Sequence, residues 1–430
     1  MGGMFETVRN AWKIPDLRRK ILFTVAMLII YRIGTHIPVP GLNADQFRQL
    51  VESGGSLFGF IDIITGGAFK LATIFAMSIT PYINSSIIMQ LLTVAIPRLE
   101  QLQKEGEEGR KIIGQYVRYG TVVLGFLQAI GLYFGMRSAI MNPGIMSFIT
   151  VTLTFTAGTA FLMWLGEQIT EYGIGNGISL IIFAGIVSRG PGGVQTLIQY
   201  YNANAFGPGI IGIIVILLIL AIFIGIIAAV VWVTQAERRI PVQYAKRVVG
   251  RKMYGGQSTH LPIKVNLAGV IPIIFAMSIM AFPSTIFSFV SPNSTNPIVR
   301  WFVHDAQKSL LYALIYALLV MFFTFFYSVI QFNPIEIANH MKKNGGFIPG
   351  IRPGKPTSDY ISKVLNRITW FGGLFLAVIT ILPNILQIFT KINNVWFAGT
   401  GVLILVGVAL DTVKQIESQM LMRHYKGFLE

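Results

Sequence analysis

Residues 208–233 read PGIIGIIVILLILAIFIGIIAAVVWV, without one charged side chain. A helix needs roughly 20 mostly apolar residues to cross a bilayer, and this run meets that length. Being apolar on every side, it suits lipid or a deep interior and not a water-facing surface. Working outward, nine further stretches have the same character: 20–37, 70–96, 113–135, 147–168, 174–189, 266–290, 308–331, 368–388 and 394–413. The fifth and tenth in chain order are short and contain glycine. An eleventh apolar run, Leu57 to Ile64, has only one or two helical turns, so it is either re-entrant or lies at the surface. The expected fold class is therefore an all-α polytopic membrane protein with ten transmembrane helices.

Composition agrees. Of 430 residues 53% are hydrophobic and 12% charged, where a soluble domain carries about a quarter charged residues. The 44 glycines suit helices that pack closely in lipid. With no cysteine, disulfides, thiolate metal sites and a cysteine nucleophile are excluded. A net charge of +16 belongs in the loops, because a charge at mid-bilayer costs about 2.5–3.5 kcal/mol.

The placement of Lys and Arg orients the chain. The amino terminus carries 5, the second-to-third loop 4, the sixth-to-seventh 7, the eighth-to-ninth 6 and the carboxyl tail 3. The opposite loops together hold only about 6. Lys/Arg excess marks the cytoplasmic face, so both termini are expected there, in the cytoplasmic (plasma) membrane. Residues 1–20 are polar and basic with no cleavage site after the first apolar run, which speaks against a cleavable signal peptide. Phe5, Val8 and Trp12 share one helical face, which suits a short helix lying on the membrane.

Ten helices divide into two halves of five, 1–195 and 196–430. An odd number per half makes the second copy inverted. The run Gly190-Pro191-Gly192-Gly193, with Gly207-Pro208 beyond it, predicts a turn-rich hinge between them. Large basic loops are expected at about 234–265 and 332–367.

Enzymatic motifs are missing: no His-Glu-x-x-His, no Gly-x-Ser-x-Gly and no phosphate loop. The five histidines have no ligand spacing. Gly173-Ile174-Gly175-Asn176-Gly177 has glycine-loop wording, but no strand precedes it, so a flexible, closely packed entry into the fifth helix is expected. The spans hold almost no charge away from their ends, Arg32 and Asp411 lying near theirs, which argues against an ion-coupled solute transporter with inverted repeats, the alternative reading. Neither an enzyme nor a cofactor or metal is expected.

Several runs, in order along nearly the whole chain, resemble the SecY family of protein-conducting channels. They are Arg32 to Gly41 (RIGTHIPVPG), Pro81 to Leu92 (PYINSSIIMQLL), Gly166 to Thr170 (GEQIT) with Gly173 to Ser179 (GIGNGIS), Gln257 to Asn266 (QSTHLPIKVN) and Phe347 to Gly354 (FIPGIRPG). The resemblance implies two halves clasping an hourglass pore that moves unfolded secretory preproteins across the membrane. Its waist would be an aliphatic ring at Ile79, Ile83, Ile178, Ile182, Ile274 and Ile404. The pairs 79/83 and 178/182 are spaced i, i+4 and so share helix faces. An apolar ring forms no lasting bonds to a passing chain and dewets a constriction.

The family's plug would fall at about 57–67, with Leu57, Phe58, Phe60, Ile61, Ile63 and Ile64 on it, Gly54-Gly55 and Gly66-Gly67 acting as hinges and Asp62 suiting a watery funnel. A lateral gate, through which transmembrane segments leave for the bilayer, would include polar Gln90 and the prolines Pro81, Pro272 and Pro283, which can kink helices. In the basic loops, Arg352, Lys246, Arg247, Arg251 and Lys252 would meet the SecA motor ATPase or ribosomal RNA phosphates on the ribosome. Further implied partners are SecE, SecG and signal peptides.

Overall fold

The computed structural model describes residues 4–53, 65–203, 210–244, 247–249, 252–254, 258–290, 296, 301, 309–390 and 400–426. Six of its helical stretches are long and apolar enough to cross a membrane, counted among the described residues: Glu107–Gly135, Ile145–Tyr172, Gly177–Asn202, Gly212–Gln235, Leu310–Lys343 and Lys355–Leu382. This is a polytopic, predominantly helical membrane protein. The chain forms two compact units, the first from Met1–Leu218, Met280–Ser309 and Lys391–Glu430, the second from Ile219–Ile279 and Leu310–Thr390.

In the first unit, α1 (Met4–Trp12), α2 (Pro15–Gly34) and α3 (Ala44–Ser53) precede α4 (Thr80–Ala95) and α5 (Pro97–Lys104). Then come α6 (Glu107–Gly135), α7 (Ile145–Tyr172), α8 (Gly177–Ser188) and α9 (Gly190–Asn202). Helix α6 packs against both α4 and α7, and α8 against α7. The second apolar stretch, expected as a helix over 70–96, is helical only from Thr80. Residues 65–79 instead form successive turns, with Ala72 and Ser78 at φ 48° and 51°. That leaves α4 at 16 residues, or about 24 Å at 1.5 Å per residue, short of a hydrocarbon core of about 30 Å.

The turns are held from below and above. Val39 N–H donates to Ala72 O at 2.9 Å and Ile74 N–H to Ile37 O at 3.0 Å, so the Arg32–Gly41 run closes a bridge onto them. Phe47, Phe69, Tyr133 and Phe155 bury the apolar side.

The fifth span differs from expectation. Gly190–Gly193, read as a hinge, starts helix α9, with Pro191 in the first turn. Proline is tolerated there because the first-turn N–H groups have no helical acceptor. The unit is completed by the first nine residues of α10 (Ile210–Gln235) up to Leu218, by α11 (Ile271–Val290) from Met280, and by α15 (Thr400–Lys426). Helix α15 packs on α8 and on α1, where Ala11, Leu17, Ile174 and Ile416 form a small buried cluster. Thr7 donates to Glu417 Oε1 at 3.1 Å. The expected amino-terminal helix exists, and one of its faces is covered by α15 while Trp12 stays exposed.

The second unit pairs α12 (Leu310–Gln331) with α14 (Lys355–Thr390), Phe325 meeting Trp370 edge-on at 5.4 Å. Between them lies α13 (Pro334–Lys343). The first basic loop folds as strands β1 (Glu237–Tyr244), β2 (Arg247–Val249), β3 (Lys252–Tyr254) and β4 (Ser258–Lys264). Strand β1 pairs antiparallel with β4, Glu237 opposite Lys264, and on its other edge with the two-residue β5 (Gly346–Phe347) from the second basic loop. Ile240, Val242 and Ile263 of this sheet bury against Ile348, Ile361 and Leu365. Both loops thus rest on one core.

Candidate functional site

The entry to α8 is built by close backbone contact. A side chain at Gly177 would collide with Gly166 O, and one at Gly166 would meet Ile178 Cδ1 at 2.5 Å. The two glycine-bearing runs, GEQIT and GIGNGIS, therefore face each other; the expected close packing of the entry is present, with GEQIT as its partner. Gly175 adopts φ +88°, the left-handed region, which favours glycine. Asn176 caps the helix, its side chain accepting from Ser179 N–H at 3.0 Å. Thr170 Oγ1 accepts from Gly177 N–H at 2.9 Å, and Thr24 Oγ1 from Ile174 N–H at 3.0 Å. Sequence reasoning saw the glycines and missed the cap, though Asn before an apolar helix is a recognised start signal.

This scaffold sets the register of Ile178 and Ile182, one turn apart on α8. Ile182 is buried and Ile178 half-buried. Ile404 is buried on α15, the helix that packs against α8. Ile79 is fully buried just before α4, and Ile83 N–H donates back to its carbonyl at 3.1 Å, so these two are also stacked one turn apart. Ile274, half-buried on α11, belongs to the second unit.

Leu57, Phe58, Phe60, Ile61, Ile63, Ile64, Asp62 and Gly54-Gly55 lie outside the described residues. The chain just after them is anchored. Arg32 Nη1 donates to Gly66 O at 3.3 Å and to Ser188 Oγ at 3.2 Å, and Ser188 Oγ donates to Gly185 O at 2.7 Å. Gly66 and Gly67 adopt φ 65° and 90°. A side chain at Gly66 would sit 2.8 Å from Gly185 Cα. Nothing in the sequence alone pairs Arg32 with these groups.

Of the prolines, Pro81 and Pro272 occupy the first turns of α4 and α11, where they start helices and do not kink them. Pro283, the third proline expected at the gate, lies inside α11. Gln90 on α4 buries Oε1 without a hydrogen-bond partner among the described residues. Arg118 Nε donates to Glu167 Oε1 at 2.8 Å, tying α6 to α7. That pair, at the edges of the third and fourth spans, went unnoticed in the sequence.

In the basic loops, Arg352 is exposed in a turn between Gly350 (φ 80°) and Gly354 (φ 103°), and its carbonyl accepts from Thr357 Oγ1 at 2.8 Å. Arg247 and Lys252 lie on the β2–β3 hairpin, opposite Tyr254 and Val249. Lys246 and Arg251 lie outside the described residues. No group of three or more potential metal ligands occurs among the described residues.

Comparison with known proteins follows this geometry. The SecY family model matches residues 73–413. A protein translocase subunit SecY of Halalkalibacterium halodurans is 48% identical over 99% of this chain and 100% of its own length. That of Thermotoga maritima is 46% identical over 99% and 98%. Among solved structures, one described as a protein conducting channel aligns with a TM-score of 0.60 at 19% identity, over 96% of this chain and 97% of that one. Sec61 from a canine ribosome–channel complex aligns at 0.57 and 18% identity, over 96% and 97%. Matched over nearly its full length, with the tightly packed GIGNGIS entry among the matched residues, the chain belongs to the SecY family.

Proposed function

We propose that this chain is a protein-conducting channel that moves unfolded preproteins across a membrane and releases transmembrane segments sideways into lipid. The observation that carries this is family membership across the whole length. The helix-capped register of half-buried Ile178 and buried Ile182 supports it. In this reading ten spans form two inverted halves, 1–195 and 196–430. Ile79, Ile83, Ile178, Ile182, Ile274 and Ile404 make the waist, the 57–67 segment plugs it at rest, and Gln90, Pro81, Pro272 and Pro283 border the lateral gate. Both termini face the cytoplasm. SecE and SecG are the companion subunits, signal peptides open the channel, and work comes from SecA or the translating ribosome.

Arg352 is the motor contact this reading singles out, because its backbone is held in a turn while its side chain is exposed. The test is protease protection of a preprotein in proteoliposomes holding this chain with SecE, SecG, SecA and ATP. Wild type protects in an ATP-dependent way, and Arg352→Glu assembles but does not. Normal transport by the variant removes the motor role. No protection by correctly inserted wild type returns the chain to the solute-transporter reading, where substrate-coupled ion flux is measured instead.

A further inference from the structure

Where α10 ends and β1 begins, the second unit carries an open cleft of about 350 Å³ lined by Arg238, Val265, Arg367, Ile368 and Phe371. The local fold explains it. Helix α10 finishes with Ala236 N–H donating to Trp232 O at 3.0 Å, and Val265 N–H returns to Ala236 O at 2.9 Å. Gly372 lets α14 come close, since a side chain there would meet Val265 O at 2.6 Å. On β1, alternation puts Arg238 on the same face as buried Ile240 and Val242, toward α14. On α14, Arg367 and Phe371 are spaced i, i+4 and stand on one stripe.

Charge and position at this cleft point the same way. Its carboxylate, Glu237, already accepts from Arg239 Nε at 2.7 Å. Arg238 and Arg367 have no ion-pair partner among the described residues. Both sit where apolar spans meet polar loops. Along α14 from Arg367 the stripe continues as Phe371, Leu374 and Val378, each more than half exposed, and Trp370 beside Phe371 and Trp232, one turn before Ala236, are exposed too. Tryptophan at the end of a span marks the headgroup layer of a bilayer. Basic pockets beside membrane helices favour anionic headgroups.

We propose that this cleft binds an anionic glycerophospholipid, Arg238 and Arg367 holding the phosphate and an acyl chain lying along Phe371, Leu374 and Val378. The apolar floor running on into the span selects lipid over a soluble phosphate. The paired guanidiniums select a net anionic headgroup over a zwitterionic one, whose ammonium they repel. The inference needs only that the chain spans a bilayer, and it stands or falls separately from the channel reading.

The experiment is native mass spectrometry of the full chain, titrated with phosphatidylglycerol, with phosphatidylcholine of the same acyl chains, and with glycerol phosphate. Wild type binds phosphatidylglycerol most tightly. Arg238→Gln with Arg367→Gln weakens that lipid about tenfold or more and leaves phosphatidylcholine unchanged. Arg98→Gln with Arg110→Gln removes the same charge at exposed positions elsewhere and has no effect. Unchanged phosphatidylglycerol binding in the first variant overturns the proposal, as does equal weakening in the second. Glycerol phosphate competing as strongly as the lipid overturns the choice of lipid. Loss of ribosomal RNA binding with lipid binding intact assigns the arginines to nucleic acid instead.

Discussion

Arg32 Nη1 donates to Ser188 Oγ at 3.2 Å, linking the end of α2 to the end of α8 across 156 positions of sequence. The same nitrogen holds Gly66 O, so one guanidinium fixes the carboxyl-terminal end of the 57–67 segment. Removing it frees that end. Arg32→Leu is expected to speed amide hydrogen exchange over residues 65–68 about tenfold, equivalent to about 1.4 kcal/mol and at the low end for a hydrogen bond to a charged group. Unchanged exchange there means the turn holds without Arg32.

The α7–α8 crossing tolerates no side chain at Gly177. Gly177→Ala is expected to destabilise the detergent-solubilised protein by about 1–3 kcal/mol, the usual cost of overpacking. Gly192→Ala is the control, because a methyl there meets nothing within 4 Å. It should leave stability unchanged or raise it by up to about 1 kcal/mol, as expected for Gly to Ala inside a helix.

The Asn176 cap makes a separate prediction. Asn176→Ala should cost about 1 kcal/mol, whereas Asn176→Asp, which keeps the accepting oxygen, should cost little. Thermal unfolding of the two variants side by side decides it. Equal losses would show that the amide N–H, and not the cap oxygen, matters.

Gln90 buries its Oε1 with no hydrogen-bond partner among the described residues. Gln90→Leu should therefore stabilise the isolated chain by about 1–3 kcal/mol, the desolvation cost of an orphaned polar group. At a lateral gate the same change should alter opening, read as fluorescence quenching across the seam. Lower stability in the variant would mean the amide is satisfied in the membrane.

Most of what composition can express was legible in advance. The run at 208–233 is helical from Ile210, and the Gly173–Gly177 run was placed in a closely packed helix entry. What escaped depends on partners far away in sequence or on backbone angles. Residues 70–79 are as apolar as a helix, but Ala72 and Ser78 take left-handed φ values that hydropathy does not encode. Pro191 read as a break because proline usually is one, yet in a first turn it costs nothing. Arg118 and Glu167 went unnoticed because their pairing exists only where α6 meets α7. Phe347, one half of a two-residue strand, carries no strand signal of its own.

That last pairing has a consequence for biosynthesis. Strand β1 receives one neighbour, β4, almost at once, but its other edge waits for Gly346–Phe347, made only after α11, α12 and α13 have left the ribosome. Until then the edge is an open template for stray strands. The charges along β1, Glu237, Arg238 and Arg239, and Pro241 within it, are the kind of residues that keep such an edge from pairing wrongly while the rest of the chain is still being threaded into the membrane.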